Sequence, residues 1–178
     1  MPATSLHERI LAGVPVAAGA YHRLLLVVGG PGSGKTTAFR AVEETQGWPY
    51  VNVSLELSKR LLDLTQKQRP VKAAGLLDGA LRAVPGAVLL LDNIELLFQP
   101  ELALDPIRLL QRIARGRTVV AAWPGSYEGN QLRYAEPGHP EAKTYSKPEV
   151  TIVVAGEAEP VRDIAAAQTP PTTAQEPQ

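Results

Sequence analysis

Residues 24–39 read LLLVVGGPGSGKTTAF: five aliphatic residues, a glycine-rich octet, and the opening of a segment with helical period. The octet at 29–36, GGPGSGKT, fits the pattern G-x-x-x-x-G-K-[ST]. In such a loop glycines let backbone N–H groups turn toward a polyphosphate, and the following helix adds its positive end. The pattern predicts that Lys35 reaches the β and γ phosphates and that Thr36 sets its hydroxyl on Mg²⁺, which bridges those phosphates and neutralises charge developing during transfer. Gly29, Gly30, Pro31, Gly32, Ser33, Gly34, Lys35, Thr36 and Thr37 are the expected nucleotide contacts, with ATP and Mg²⁺ the expected cofactors. The bland reading is a glycine-rich turn followed by an ordinary lysine; a strand before and a helix after favour the phosphate loop.

Further strands are expected at 50–53, 88–91, 118–122 and 149–154 besides 24–28. They show little alternation, as strands buried on both faces should. Helices fall between them. One begins inside GKTTAFRAVEETQG and stops at Gly47. Another carries leucines at 57, 61 and 64 on one face. In DPIRLLQRIARG, Asp105 is a good N-cap, Pro106 suits the first helical position and Gly116 is the expected stop. Strands separated by helices imply right-handed crossovers. The expected fold is therefore α/β, a three-layer P-loop domain with a central parallel five-stranded sheet and helices on both faces.

Residues 24–155 are the expected domain, preceded by an N-terminal extension at 1–23. Its stretch ILAGVPVAAGAY resembles a signal-peptide core in length, but HER before it carries no net positive charge and Pro15 breaks the run. The segment 156–178, rich in proline and lacking aromatic residues, is expected to be a disordered tail. No apolar stretch approaches the roughly 20 residues of a membrane span. Eighteen Lys plus Arg balance 18 Asp plus Glu, so no whole-protein field favours nucleic acid or anionic membrane. The absence of cysteine excludes disulfides, thiolate metal sites and a cysteine nucleophile.

The stretch VLLLDNIELLF, residues 88–98, supplies the second chemical signal. Asp92 ends a buried strand, where a nucleotide site's second magnesium anchor sits; the alternative is a cap on the turn after the strand. Many P-loop ATPases follow that aspartate with a glutamate that polarises the attacking water, but here Asn93 stands in its place and an amide cannot act as a base. Glu95 is the nearest carboxylate. It either reaches back to that water or is a solvated first-turn acid.

Asn52, ending the second strand, would face the same crevice or form a turn. Arg108, Arg112 and Arg115, with Arg117 beyond, form a basic stripe. It is either a solvated helix face, an arginine finger for a neighbouring subunit, or a contact to phosphates such as those of DNA. Arg133 is a second finger candidate. His7, His22 and His139 lack metal-ligand spacing.

The segments GGPGSGKTT, YVNVSLELSKRLLDLTQKQRP, LLLDNIELLF, LDPIRLLQRIARGRTVVAAWPG and LRYAEPGHPE together resemble the BrxF family, the small P-loop ATPases of type 3 BREX bacteriophage-exclusion systems. The resemblance covers about residues 24–154. It implies a bacterial cytoplasmic ATPase acting beside a larger ATPase, a methyltransferase and a phosphatase-like protein. The chain also looks like a minimal relative of AAA+ ATPases, in which Lys35, Thr36 and Asp92 match nucleotide and magnesium positions and Asn52 a polar switch residue. It departs from that pattern at Asn93 and in having too few residues after the fifth strand for a helical lid. A site lacking both suggests a homo-oligomer in which a neighbour supplies missing groups. Three functions follow: a slow ATPase or ATP-switched subunit of a defence complex, a small-molecule kinase with the arginines clamping a donor phosphate, or a nucleotide-binding scaffold with negligible turnover.

Overall fold

A computed structural model describes residues 4–156 and the short strand Arg162–Asp163. The chain opens with helix α1 (Leu6–Ala18), followed by β1 (Leu24–Val28), α2 (Lys35–Gln46), β2 (Tyr50–Asn52), α3 (Val53–Leu61) and α4 (Arg69–Arg82). Then come β3 (Val88–Asp92), two 3-10 turns (Glu95–Phe98 and Pro100–Leu102), α5 (Pro106–Ile113) and β4 (Thr118–Trp123). A meander of β5 (Ser126–Glu128), β6 (Gln131–Tyr134) and β7 (Lys143–Ser146) precedes β8 (Thr151–Val154) and β9 (Arg162–Asp163).

The main sheet has the order β2-β3-β4-β1-β8-β9. Its first five strands are parallel, as expected, and β9 pairs antiparallel with β8. The expected tail lies outside the described residues apart from Gly156 and β9. Because β4 is inserted between β1 and β3, the loop after β1 and the end of β3 stand two strands apart across one crevice. This is the switch-point geometry where open α/β sheets bind ligands.

Successive side chains of each central strand enter opposite cores, which is why these strands read as unbroken aliphatic runs. Leu24, Leu26 and Val28 of β1 join Leu89, Leu91, Val119 and Ala121 beneath α3, α4 and α5. Leu25 and Val27 join Leu90, Val120 and Val153 beneath α1 and α2. Helix α1 is the layer the expected N-terminal extension becomes. Ser5 accepts from Glu8 N, the Glu8 carboxylate accepts from Ser5 N in a capping box, and Ile10, Val14 and Ala17 face the sheet. It packs closely: a Cβ on Gly13 would lie 3.1 Å from a Leu25 methyl.

The meander was not expected. Its β5–β6 turn has two left-handed residues, Gly129 (φ 56) and Asn130 (φ 60), as two-residue hairpins require. Aromatic contacts dock it. Phe98 stacks on Tyr134 with centroids 3.7 Å apart, and the Trp123 indole N–H donates to the Arg133 carbonyl at 3.0 Å.

Candidate functional site

The glycine-rich loop is tied to the strands on either side of β1. Gly29 N donates to the Trp123 carbonyl at 3.1 Å, and Ala155 N to the Val28 carbonyl at 2.7 Å. No side chain fits at Gly29, where a Cβ would lie 2.9 Å from that of Ala155. Gly34, at φ 87, caps α2 in a left-handed conformation that a residue with a Cβ rarely adopts. Within the loop the Lys35 ammonium donates to the Gly29 carbonyl, to the Gly30 carbonyl at 3.0 Å and to Ser33 Oγ at 3.2 Å. Ser33 Oγ in turn donates to the Gly30 carbonyl at 2.7 Å. Burial holds the lysine pKa below its ordinary value, while the charges of Asp92 and Glu95 act in the opposite direction. Pro31 and Gly32 lie exposed at the loop's tip, and Thr37 lies in the first turn of α2.

Across the crevice Asp92, only 3% exposed, gathers three donors. Thr36 Oγ1 and the Tyr50 hydroxyl each donate to its Oδ2 at 2.7 Å, and Asn93 N donates to its Oδ1 at 2.9 Å. Thr36 and Asp92, 56 residues apart in sequence, therefore present a paired hydroxyl and carboxylate at the head of α2. Such hard oxygens suit Mg²⁺: the hydroxyl can keep its proton on the carboxylate while offering a lone pair to the ion.

Tyr50 escaped the sequence reading. Its role depends on the β2–β3 register, in which Tyr50 lies opposite Leu90 and Asn52 opposite Asp92. No spacing rule foretells that pairing. Burial, and then the bond to Asp92, push the Tyr50 pKa up, so the hydroxyl remains a donor. The Arg40 guanidinium lies 3.6 Å from its ring centroid.

Asn93 sits at φ 52, left-handed, a region asparagine enters more readily than most residues. That twist turns its carbonyl toward α3, where it accepts from Ser54 N at 2.9 Å and Ser54 Oγ at 2.5 Å. Leu96 N closes the staple by donating to Ser54 Oγ at 3.2 Å. Glu95 opens the 3-10 turn with its side chain exposed, near enough for its charge to act on Lys35 and Tyr134. The Asn52 side chain caps α3, accepting from Leu55 N at 3.0 Å.

The arginines of the stripe lie elsewhere. Arg117 directly precedes β4 and donates to the carbonyls of Val84 (2.6 Å), Gly86 (3.3 Å) and Leu81. It stands at the N-terminal end of the parallel strands, about 17 Å from their C-terminal ends at ~3.3 Å per residue. Arg112 reaches the Ala74 carbonyl (3.4 Å) and the Asp78 carboxylate (3.8 Å), and Arg108 the Asp105 carboxylate (3.7 Å). Arg115 is exposed at the end of α5. Arg133, on β6, bonds Gln131 and lies at the phosphate-loop end of the sheet with the rest of the meander. His7 contacts Ser5, His22 lies 3.7 Å from Glu149, and the His139 ring nitrogen accepts from Glu141 N.

The family described as ATPases associated with various cellular activities (AAA) matches residues 25–114, half of the chain. That span holds the phosphate loop, Asp92 and α5. The structure of C. elegans PCH-2 is similar over 66% of this chain and 36% of that one, at 16% identity and a TM-score of 0.36, so this chain spans about a third of that one's length. No curated protein matches the chain. On the matched residues, which include both walls of the crevice, the chain belongs to the AAA family of ATPases.

Proposed function

We propose that the protein is a slow, Mg²⁺-dependent ATPase whose nucleotide state switches a larger assembly. The observation that supports this reading is the 2.7 Å bond from Thr36 Oγ1 to Asp92, a hydroxyl and a carboxylate that would suit Mg²⁺ at the mouth of the phosphate loop. Thr36 and Asp92 would hold Mg²⁺, which when bound would supply neutralisation of the negative charge that develops on the phosphates. The chain's own part is to hold the triphosphate on the loop N–H groups, bring the Lys35 ammonium to it, and keep the Asp92 carboxylate oriented through Tyr50 and Asn93 N. Turnover is slow in this reading because the residue after Asp92 has no carboxylate. Glu95, two positions further on, is the group left to accept the water's proton.

The assembly we favour is a BREX bacteriophage-exclusion system, on the strength of NVSLELS, LDNIELLF and YAEPGHPE occurring in that order. Its other members there would be a larger ATPase, a DNA methyltransferase and a phosphatase-like protein in the bacterial cytoplasm. The competing reading, a nucleotide-binding scaffold with negligible turnover, is favoured by the left-handed Asn93, which the staple to Ser54 explains without any catalytic task.

Steady-state phosphate release separates the two. Turnover in the wild type that falls at least tenfold in Glu95→Gln, with nucleotide affinity retained and Lys35→Ala as the blank, supports an ATPase with Glu95 as base. Wild-type release no higher than the blank, despite tight ATP binding, leaves the scaffold.

A further inference from the structure

At the end of the sheet opposite the nucleotide crevice, a cavity of about 640 Å³ is lined by Arg23, Arg82, Arg112, Arg115 and Arg117 and by no carboxylate. Two of these arginines are committed to the fold. Arg117 holds the carbonyls that end α4, and Arg23 donates to the Arg115 carbonyl at 2.8 Å. Arg82 and Arg112 share the single carboxylate of Asp78, at 3.2 and 3.8 Å. In a chain with no net charge this is a segregated cationic site. Guanidinium groups so gathered select phosphate-bearing anions.

A second cavity adjoins the first, sharing Arg112 and Arg115 and adding His22 and Arg108, the latter beside the Asp105 carboxylate it pairs with at 3.7 Å. Cations thus run from Arg108 and Arg112 on α5 to Arg115 just past its end, the first two about 6 Å apart along the helix at 1.5 Å per residue, longer together than one phosphate group. Beside this track stands an aromatic ring that the fold does not use. Tyr21 is 90% exposed and meets the His22 ring edge-on with centroids 4.8 Å apart. A large exposed ring next to a cationic track is the pairing that binds single strands, phosphates on the cations and a base on the ring. A duplex would offer its phosphates but no free base face.

We propose that this end of the sheet is a binding site for single-stranded nucleic acid, with backbone phosphates on Arg82, Arg112 and Arg115 and a base stacked on Tyr21. It contacts the backbone and a base face, so it takes strands without regard to sequence. Its position leaves the nucleotide crevice open while a strand is bound.

The test is fluorescence anisotropy of the full chain without ATP, so that the outcome is independent of the ATPase reading. The probes are labelled single-stranded DNA, RNA of the same sequence and the DNA duplex, each titrated over a range of salt. At least one single strand is expected to bind more tightly than the duplex. Arg82→Ala with Arg115→Ala should weaken that binding about tenfold or more and flatten the salt slope by about 1.4, for two phosphates at ~0.7 each. Tyr21→Ala should weaken strand binding at least ~5-fold and leave the duplex unaffected. All three side chains are exposed, and unchanged melting temperatures verify that the variants fold. Absence of strand binding at low salt, binding unaltered by the arginine pair, or a duplex held as tightly with Tyr21→Ala neutral would each overturn the proposal.

Discussion

Asn93 shows how one residue can satisfy a backbone need where chemistry leads one to expect a carboxylate. Its φ of 52 aims the carbonyl at Ser54, and this turn carries the chain from β3 into the Glu95 helix turn. Glycine adopts that conformation freely, whereas alanine is strained there by about 1 kcal/mol. Asn93→Gly should therefore melt close to the wild type and Asn93→Ala about 2–4 °C lower for a chain of this size. Equal melting of the two in calorimetry would contradict a backbone role. Lys35 gives a second prediction at this scale. In the proposed role its ammonium binds phosphate, and burial lowers the pH at which the proton leaves. Nucleotide affinity should consequently fall as pH rises through that lowered value, before the ~10.4 of an ordinary lysine. In Lys35→Arg, which stays charged, the alkaline loss should disappear. A titration of affinity against pH that stays flat to ~10 in the wild type would contradict this.

At the scale of elements, α4 ends by lending carbonyls to Arg117, a residue 35 positions beyond its last turn, at Arg82. The bond between helix end and strand start joins α4 to the foot of β4, and burial depresses the Arg117 pKa without removing its charge at neutral pH. Arg117→Ala should cost about 1–3 kcal/mol by leaving those carbonyls without a charged donor. Urea unfolding would read it as a lower midpoint at unchanged m; a midpoint equal to the wild type's would show that water replaces the guanidinium. Helix α1 makes the complementary point. The S-x-x-E capping signal at Ser5–Glu8 and the apolar positions 10, 14 and 17 were legible. Residues 1–23 were nevertheless expected to be an extension outside the domain, because Pro15 interrupts the apolar run.

On the whole-molecule scale, the parallel sheet separates two kinds of surface. The nucleotide crevice lies at the C-terminal ends of the strands, and the arginine cavity at their N-terminal ends. In the proposed reading the crevice would hold nucleotide and Mg²⁺ with no arginine of the α5 stripe beside them, so the proposal includes a neighbour's contribution and hence self-association in the ATP state. Sedimentation velocity should show a larger species with ATP and Mg²⁺ than without nucleotide. A monomer at every concentration with ATP would count against it.

The sequence by itself determined the parallel core and the phosphate loop. Both are local in origin: aliphatic runs of five residues, a glycine octet and a lysine–threonine pair need no distant partner to be read. Asp92 was legible because it ends such a run. Only the tertiary structure decided what surrounds it. Tyr50, Ser54 and the Asn93 staple meet through strand register and a left-handed turn, which pair residues roughly 40 positions apart and leave no periodic trace. The same holds for the arginines. Helical spacing predicts Arg108, Arg112 and Arg115 on one face, but the direction of α5 relative to β4 decided that Arg112 and Arg115 lie at the foot of the sheet, beside Arg23 and Arg82 and away from the phosphate loop.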